Sequence, residues 1–237
     1  MKIWENIRSD LFDHAEEINK IGPLVTGYSK INGVDIAVVG CLDKKNIGAN
    51  EAVKMAEFVL KVIENNKNIP IIMLVDNNGH KLALWDELVG NNRCIAHLGK
   101  ALFLAQKMGH KVLGLVCGRA VSGGFMATGM ATERCFALAD AELMVMAPVA
   151  MSRITKIPLK KLEELCTLSP VLGPGVDNFR RIGGIEEILT GNIKEQLSSV
   201  LESDFSGVDG RLELGVEREG RLMAGEVYEK VKNGLSV

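Results

Sequence analysis

Lys111-Val112-Leu113-Gly114-Leu115-Val116-Cys117-Gly118 passes into Arg119-Ala120-Val121-Ser122-Gly123-Gly124 and resumes as Phe125-Met126-Ala127-Thr128-Gly129-Met130-Ala131. The first eight residues form an apolar run rich in valine and leucine. The small residues behind it open a second apolar stretch, so the pattern predicts a buried strand that turns into a helix. A glycine pair at such a turn leaves no side chain in front of the peptide N–H groups. Bare N–H groups at the start of a helix suit an oxyanion. The same pair also suits close packing, because Gly124, Thr128 and Ala131 share a helical face. The residues of this stretch alone leave both readings open.

Working outward, residues 70–76 form another buried strand, which ends in Asp76-Asn77-Asn78-Gly79-His80. This reads as a polar turn at the carboxyl end of a strand, where open α/β sheets place ligands. A long helix is predicted over residues 88–108. Upstream, residues 24–31 and 34–40 flank Asn32-Gly33, whose tolerance of positive φ marks a hairpin. Apolar side chains recur at helical spacing over residues 48–66 and 1–19. Downstream, residues 133–139 and 142–147 read as strands, and residues 156–165 as a helix with Pro158 near its first turn. Residues 169–175, with two prolines and two glycines, read as a change of direction. Residues 177–203 are predicted helical in two pieces around Gly183-Gly184 and Gly191. Residues 204–237 form a glycine-punctuated tail ending in a helix. The fold class is α/β: one domain over residues 1–237, with 1–20 and 204–237 peripheral or packed on a partner.

Composition narrows the function. With 28 basic and 30 acidic residues mixed along 237 positions, the chain has no basic block to follow a phosphate backbone, so nucleic acid is not expected as a partner. No run of about 18 apolar residues occurs, and the amino terminus carries acidic residues, so neither a membrane span nor a signal peptide is expected. Five dispersed cysteines without a CxxC pair read as thiols of a reducing, cytoplasmic compartment. Four scattered histidines give no metal-ligand spacing. Neither GxGxxG nor GxxxxGK[ST] occurs, which removes a seat for nicotinamide or ATP chemistry.

The Asp76-Asn77-Asn78-Gly79 segment, followed one helix and one strand later by the Ser-Gly-Gly turn, resembles the crotonase superfamily and its acyl-CoA carboxyltransferase branch. The narrower match lies in Asp86-Glu87-Leu88, Ala96-His97-Leu98, Gly114-Leu115-Val116, Val121-Ser122-Gly123-Gly124-Phe125, Thr155-Lys156-Ile157-Pro158-Leu159, Ser169-Pro170-Val171 and Pro174-Gly175-Val176. These look like the malonate decarboxylase gamma subunit family over roughly residues 20–190. The resemblance implies a crotonase-like ββα superhelix with peripheral helices and a homologous beta-subunit partner. It also implies a malonyl thioester on an acyl carrier protein, decarboxylated to the acetyl thioester. No cofactor is expected to bind directly, and biotin enters only in a biotin-dependent variant. The chain departs from the family pattern at Asn78 and His80, where a small residue and a glutamine are expected.

Decarboxylation of a malonyl thioester moves charge into an enolate, so fixed donors must meet an oxygen anion absent from the ground state. Gly79 or His80, with Gly123 or Gly124, are the candidate N–H donors, and His80 is also a candidate proton donor beside water. Ser122, Phe125, Arg153 and Lys156 are candidates for substrate contact, the last two toward a carboxylate or a carrier's phosphate. His97 reads as a packed or interface residue, and His14 and His110 as surface or cap residues. Two rivals are a stand-alone crotonase enzyme using Asp76 or Glu87 as acid/base, and a supporting subunit that shapes its partner's cleft.

Overall fold

The computed structural model describes residues 3–65, 68–171, 173–205, 207–221 and 223–234. Asn66, Leu172, Ser206, Leu222 and the chain ends 1–2 and 235–237, which fall within predicted segments, lie outside the described residues. In chain order the elements begin Ile3–Leu11 (α1), Ile18–Ile21 (β1), Leu24–Ile31 (β2), Val34–Ile47 (β3), Ala49–Glu64 (α2) and Ile71–His80 (β4). Leu84–Leu88 (α3), Asn91–Lys107 (α4), Val112–Val121 (β5), Ser122–Ala127 (α5), Arg134–Leu138 (β6) and Glu142–Met144 (β7) follow. The remainder is Pro148–Thr155 (α6), Leu159–Leu168 (α7), Val176–Arg181 (α8), Glu187–Leu189 (β8), Ile193–Glu202 (α9), Arg211–Glu217 (α10) and Ala224–Lys232 (α11).

The sheet has the order β1-β2-β3-β4-β5-β6-β8, with β7 also on β5. The Asn32-Gly33 hairpin joins β2 and β3 antiparallel, and β3, β4, β5, β6 and β8 run parallel. Alternation along β5 explains its continuous apolar run. Val112 and Val116 face α2 and α4, while Leu113, Leu115 and Cys117 face α1 and α9. A parallel strand covered on both faces has no polar side to show. Ile71, Met73 and Val75 of β4 join the first core, and Ile72 and Leu74 join the second. β5 shares one edge between two strands: Leu113–Val116 pair with β6, and Arg119–Val121 pair with β7.

Several expectations change. The helix predicted over residues 1–19 ends at Leu11, and Ile18 enters β1, since an apolar residue at that spacing fits either period. β4 continues through the predicted polar turn to His80. The long helix begins at Asn91, after the separate five-residue α3. The helix opened at Ser122 stops at Ala127, short of the face shared by Gly124, Thr128 and Ala131. Between its helical pieces, the stretch 177–203 contains β8, paired to β6. The tail is fastened through α10: Arg218 donates to the carbonyls of Arg180, Ile185 and Glu186, and Arg221 to that of Ile182. α11 buries no residue.

Candidate active site

The carboxyl ends of β4 and β5 meet beside α5. At the end of β4, Gly79 takes φ +89°, a left-handed conformation natural to glycine. Its N–H donates to Asn77 Oδ1 at 3.1 Å. The Asn46 side chain donates to the carbonyls of Asn78 (2.9 Å) and His80 (3.3 Å), and Asn91 donates to that of Lys81 at 3.1 Å. These amides hold a polar strand end that has left the regular ladder.

On the other side, β5 ends at Val121 and Ser122 opens α5 with φ +47°, an uncommon conformation for a residue with a Cβ. The first N–H groups of α5 have no intrahelical acceptor. Its two glycines are not equivalent. A methyl group on Gly124 would stand 2.5 Å from Asn77 Oδ1 and 2.7 Å from Gly79 Cα, so Gly124 packs against β4. A methyl group on Gly123 would meet His80 Nδ1 at 3.0 Å, so Gly123 faces the imidazole. The packing and ligand readings of the glycine pair thus fall on different members of it.

His80 lies between two clefts. One, of about 470 Å³, is lined by Asn46, Asn78, Gly79, Val121, Ser122 and Met146 among others. The second, of about 430 Å³, is mainly apolar, with Ile95, Ala96, Met126 and Ala131 beside Gly123, Glu87 and Asn92. Large apolar side chains stand exposed nearby on and before α3, namely Leu82, Leu84, Trp85 and Leu88, with Trp85 74% exposed. Met126 and Val145, which line the clefts, are exposed as well.

Asp76 has a different task. It is 1% exposed, and its carboxylate accepts the Arg119 N–H at 2.7 Å and the Lys44 N–H at 3.2 Å. A side chain on Gly118 would strike that carboxylate at 2.3 Å. Asp76 therefore ties β3 and β5 to β4 where both registers shift.

A family model of the malonate decarboxylase gamma subunit matches residues 42–235. The chain belongs to the malonate decarboxylase gamma subunit family. It is 30% identical to the malonyl-S-ACP:biotin-protein carboxyltransferase MADD of Malonomonas rubra, over 89% of this chain and 84% of that protein. The fold matches a chain of a Pseudomonas malonate decarboxylase hetero-tetramer in complex with coenzyme A. That match has TM-score 0.82 at 19% identity, over 97% of this chain and 99% of the other. It also matches transcarboxylase 12S, with TM-score 0.72 at 20% identity over 85% of this chain and 41% of that one. The α/β architecture is accordingly the crotonase-like one of carboxyltransferases, and this family member is a subunit of a decarboxylating or carboxyl-transferring enzyme.

Within that family member, His80, Ser122 and Gly123 come together at the clefts. Phe125, expected at the substrate, instead points into the core, 2% exposed and edge-on to Phe179 at 5.8 Å. Phe125 lies two residues beyond Gly123, about 200° around a helix, which carries it away from the cleft that Gly123 faces. Arg153 and Lys156 lie at the exposed end of α6 and line neither cleft. Gly79 lines the first cleft, but its N–H is bound to Asn77, which leaves His80 as the N–H candidate at the end of β4. His97 is exposed on α4 and His14 is exposed, while His110, of the two places expected for it, takes the cap: it is buried, its N–H donates to the Ala105 carbonyl at 3.0 Å at the end of α4, and its Nδ1 lies 3.0 Å from the Ile69 carbonyl oxygen. Of the rival's carboxylates, Asp76 is committed to backbone, and Glu87 lines the apolar cleft. Asn46 and Asn91 escaped the sequence reading, and Asn77 and Thr128 entered it only within a polar turn and a packing face. Their partners lie 32 to 51 residues away in the cases of Asn46 and the Asn77–Thr128 pair, beyond any local pattern. Among the described residues no acidic, histidine and cysteine cluster could hold a metal, and no helix is long and apolar enough to cross a membrane.

Proposed function

We propose that this chain forms one half of a composite active site that decarboxylates a malonyl thioester carried on an acyl carrier protein. The C–C bond to the carboxyl group breaks, its electron pair passes into the thioester carbonyl as an enolate, carbon dioxide leaves, and C2 takes up a proton. The observation that carries this reading is the meeting of His80 and Gly123 between two clefts, at the ends of neighbouring parallel strands. The N–H groups of His80 and Gly123 hold the departing carboxyl group, and a homologous beta subunit supplies the donors for the thioester enolate. Fixed donors of this kind are worth about 100- to 1000-fold in rate each. Ser122 borders the carboxyl position, and His80 or water returns the proton.

The beta subunit seats on the apolar surface of Leu82, Leu84, Trp85 and Leu88 and closes both clefts. Exposed apolar groups gathered beside a cleft mark a protein interface. The complex works in the cytoplasm, in keeping with five cysteines dispersed along the chain without a CxxC pair. A second reading follows from the Malonomonas relative: the carboxyl passes to a biotin-protein instead of leaving directly. Carbon dioxide release from a malonyl thioester, measured on the chain alone and on its complex with the beta subunit, tests the proposal. Release by the complex alone is the expected result. Release by the isolated chain supports the stand-alone crotonase, and no release from either refutes the reading. Sensitivity of the release to avidin identifies the biotin route.

A further inference from the structure

We propose that Asn77 is a positioning residue, whose buried amide sets the end of β4 against the start of α5 and thereby fixes the spacing of the His80 and Gly123 donors. This rests on the function proposed above.

Asn77 is fully buried within β4, a costly place for an amide unless its atoms find partners. Both atoms do, and on different elements. Oδ1 accepts the Gly79 N–H at 3.1 Å, which holds the left-handed kink that aims the strand end. Nδ2 donates to Thr128 Oγ1 at 3.4 Å, and that hydroxyl donates to the Gly124 carbonyl at 2.7 Å. The relay thus ends on the peptide unit just after the donors of α5. Thr128 is also fully buried and leaves the helix with φ −113° and ψ −86°, so it closes α5 while reaching back along it.

Gly124 makes the arrangement possible. Any side chain there would occupy the space of the amide oxygen, 2.5 Å away. An apolar residue in place of Asn77 would fill the volume but leave the Gly79 N–H without its acceptor. The neighbouring Asp76 reaches instead to β3 and β5, as alternation along a strand requires. One of the two adjacent polar residues joins the strands, and the other joins the two halves of the donor pair.

The test uses the complex with its beta subunit and the variants Asn77→Ala, Thr128→Val and Thr128→Ser. A displacement near 1 Å at a reacting centre costs on the order of 100-fold. Asn77→Ala is expected to lower kcat on a malonyl thioester by about that factor, with KM within about threefold. Thr128→Val should lower kcat by about tenfold and Thr128→Ser restore it, since serine keeps the hydroxyl. Hydrogen exchange read by mass spectrometry should quicken over residues 77–81 and 121–128 in Asn77→Ala and stay unchanged over residues 112–116. Unchanged kcat with unchanged exchange overturns the proposal. So does a loss of kcat accompanied by faster exchange throughout β5, which is the mark of general destabilisation. If the wild-type complex releases no carbon dioxide, the functional reading fails, and exchange in the two segments alone decides the role of Asn77.

Discussion

Gly123 and Gly124 are adjacent and chemically identical, yet a methyl group should affect them very differently. On Gly124 the new carbon would lie 2.7 Å from both Cα and C of Gly79, where ordinary contact begins near 3.4 Å. The obstacle is backbone, so α5 and β4 must separate by about 0.7 Å, the difference between those two distances. Overpacking of this kind costs about 1–3 kcal/mol in stability. A shift of that size approaches the 1 Å displacement worth about 100-fold in rate. On Gly123 the carbon meets only His80 Nδ1, at 3.0 Å, and a side-chain ring can yield by a few tenths of an ångström. The expected result is a loss of at least tenfold in carbon dioxide release for Gly124→Ala, and about threefold or less for Gly123→Ala. The assay is release by the purified complex at equal yield, with its melting temperature recorded in parallel. Equal activities of the two variants, or near-normal release by Gly124→Ala with an unchanged melting temperature, would refute the packing argument.

The resemblance leads to glutamine being expected where this chain has His80, and the proposed role there belongs to the backbone N–H. His80→Gln should therefore keep release within about threefold, and a loss near 100-fold would assign the proton transfer to the imidazole. Trp85→Asp should prevent assembly with the beta subunit, read by size-exclusion chromatography, while the isolated chain keeps its circular dichroism spectrum. Burial pushes the thiols of Cys41 and Cys135 up to about 12 and raises that of Cys117 as well. A thiol reagent at pH 8 should accordingly label half-buried Cys94 and Cys166 of the isolated chain before these three, with peptide mapping as the check. Hydrogen bonds from Lys44 and then Arg119 hold Glu142 below its ordinary 4.5. A lowered carboxyl value stabilises the fold above about 4.5 and ceases to do so as pH falls through the lowered value. The melting-temperature gap between wild type and Glu142→Gln should be present at pH 7 and shrink below pH 4.5; a gap that grows in acid contradicts this.

The parts legible in the sequence were those written in local pattern. β3, β4 and β5 carry apolar runs long enough to show that both faces are covered, and Asn32-Gly33 names its own hairpin. The three residues of β8 are too few to show alternation between helices that dominate their window. The polar end of β4 resembles a loop because its order comes from Asn46, Asn77 and Asn91, whose partners include groups on other elements. At the turn, the Gly-Gly pair announced a special backbone. It took the position of His80 and Gly79 across the gap to show which glycine faces a cleft and which packs. Phe125 was misplaced for the same reason: neighbours along six helical residues point to opposite environments.

The division of β5 between two partners has a bearing on how such a site changes over time. Its first half is clasped by β6 within the core, and its last three residues, which lead into Ser122, are clasped by β7. Around Cys117 and Gly118 the ladder to β4 also loses step, and the Asp76 carboxylate bridges the gap. The strand behaves as two leaves joined at a seam, each with its own support. Substitutions in β7 or in the segment that follows it can shift the leaf that leads into Ser122 while the core leaf keeps its register. The carboxyl end of β5 is in this way supported apart from the core.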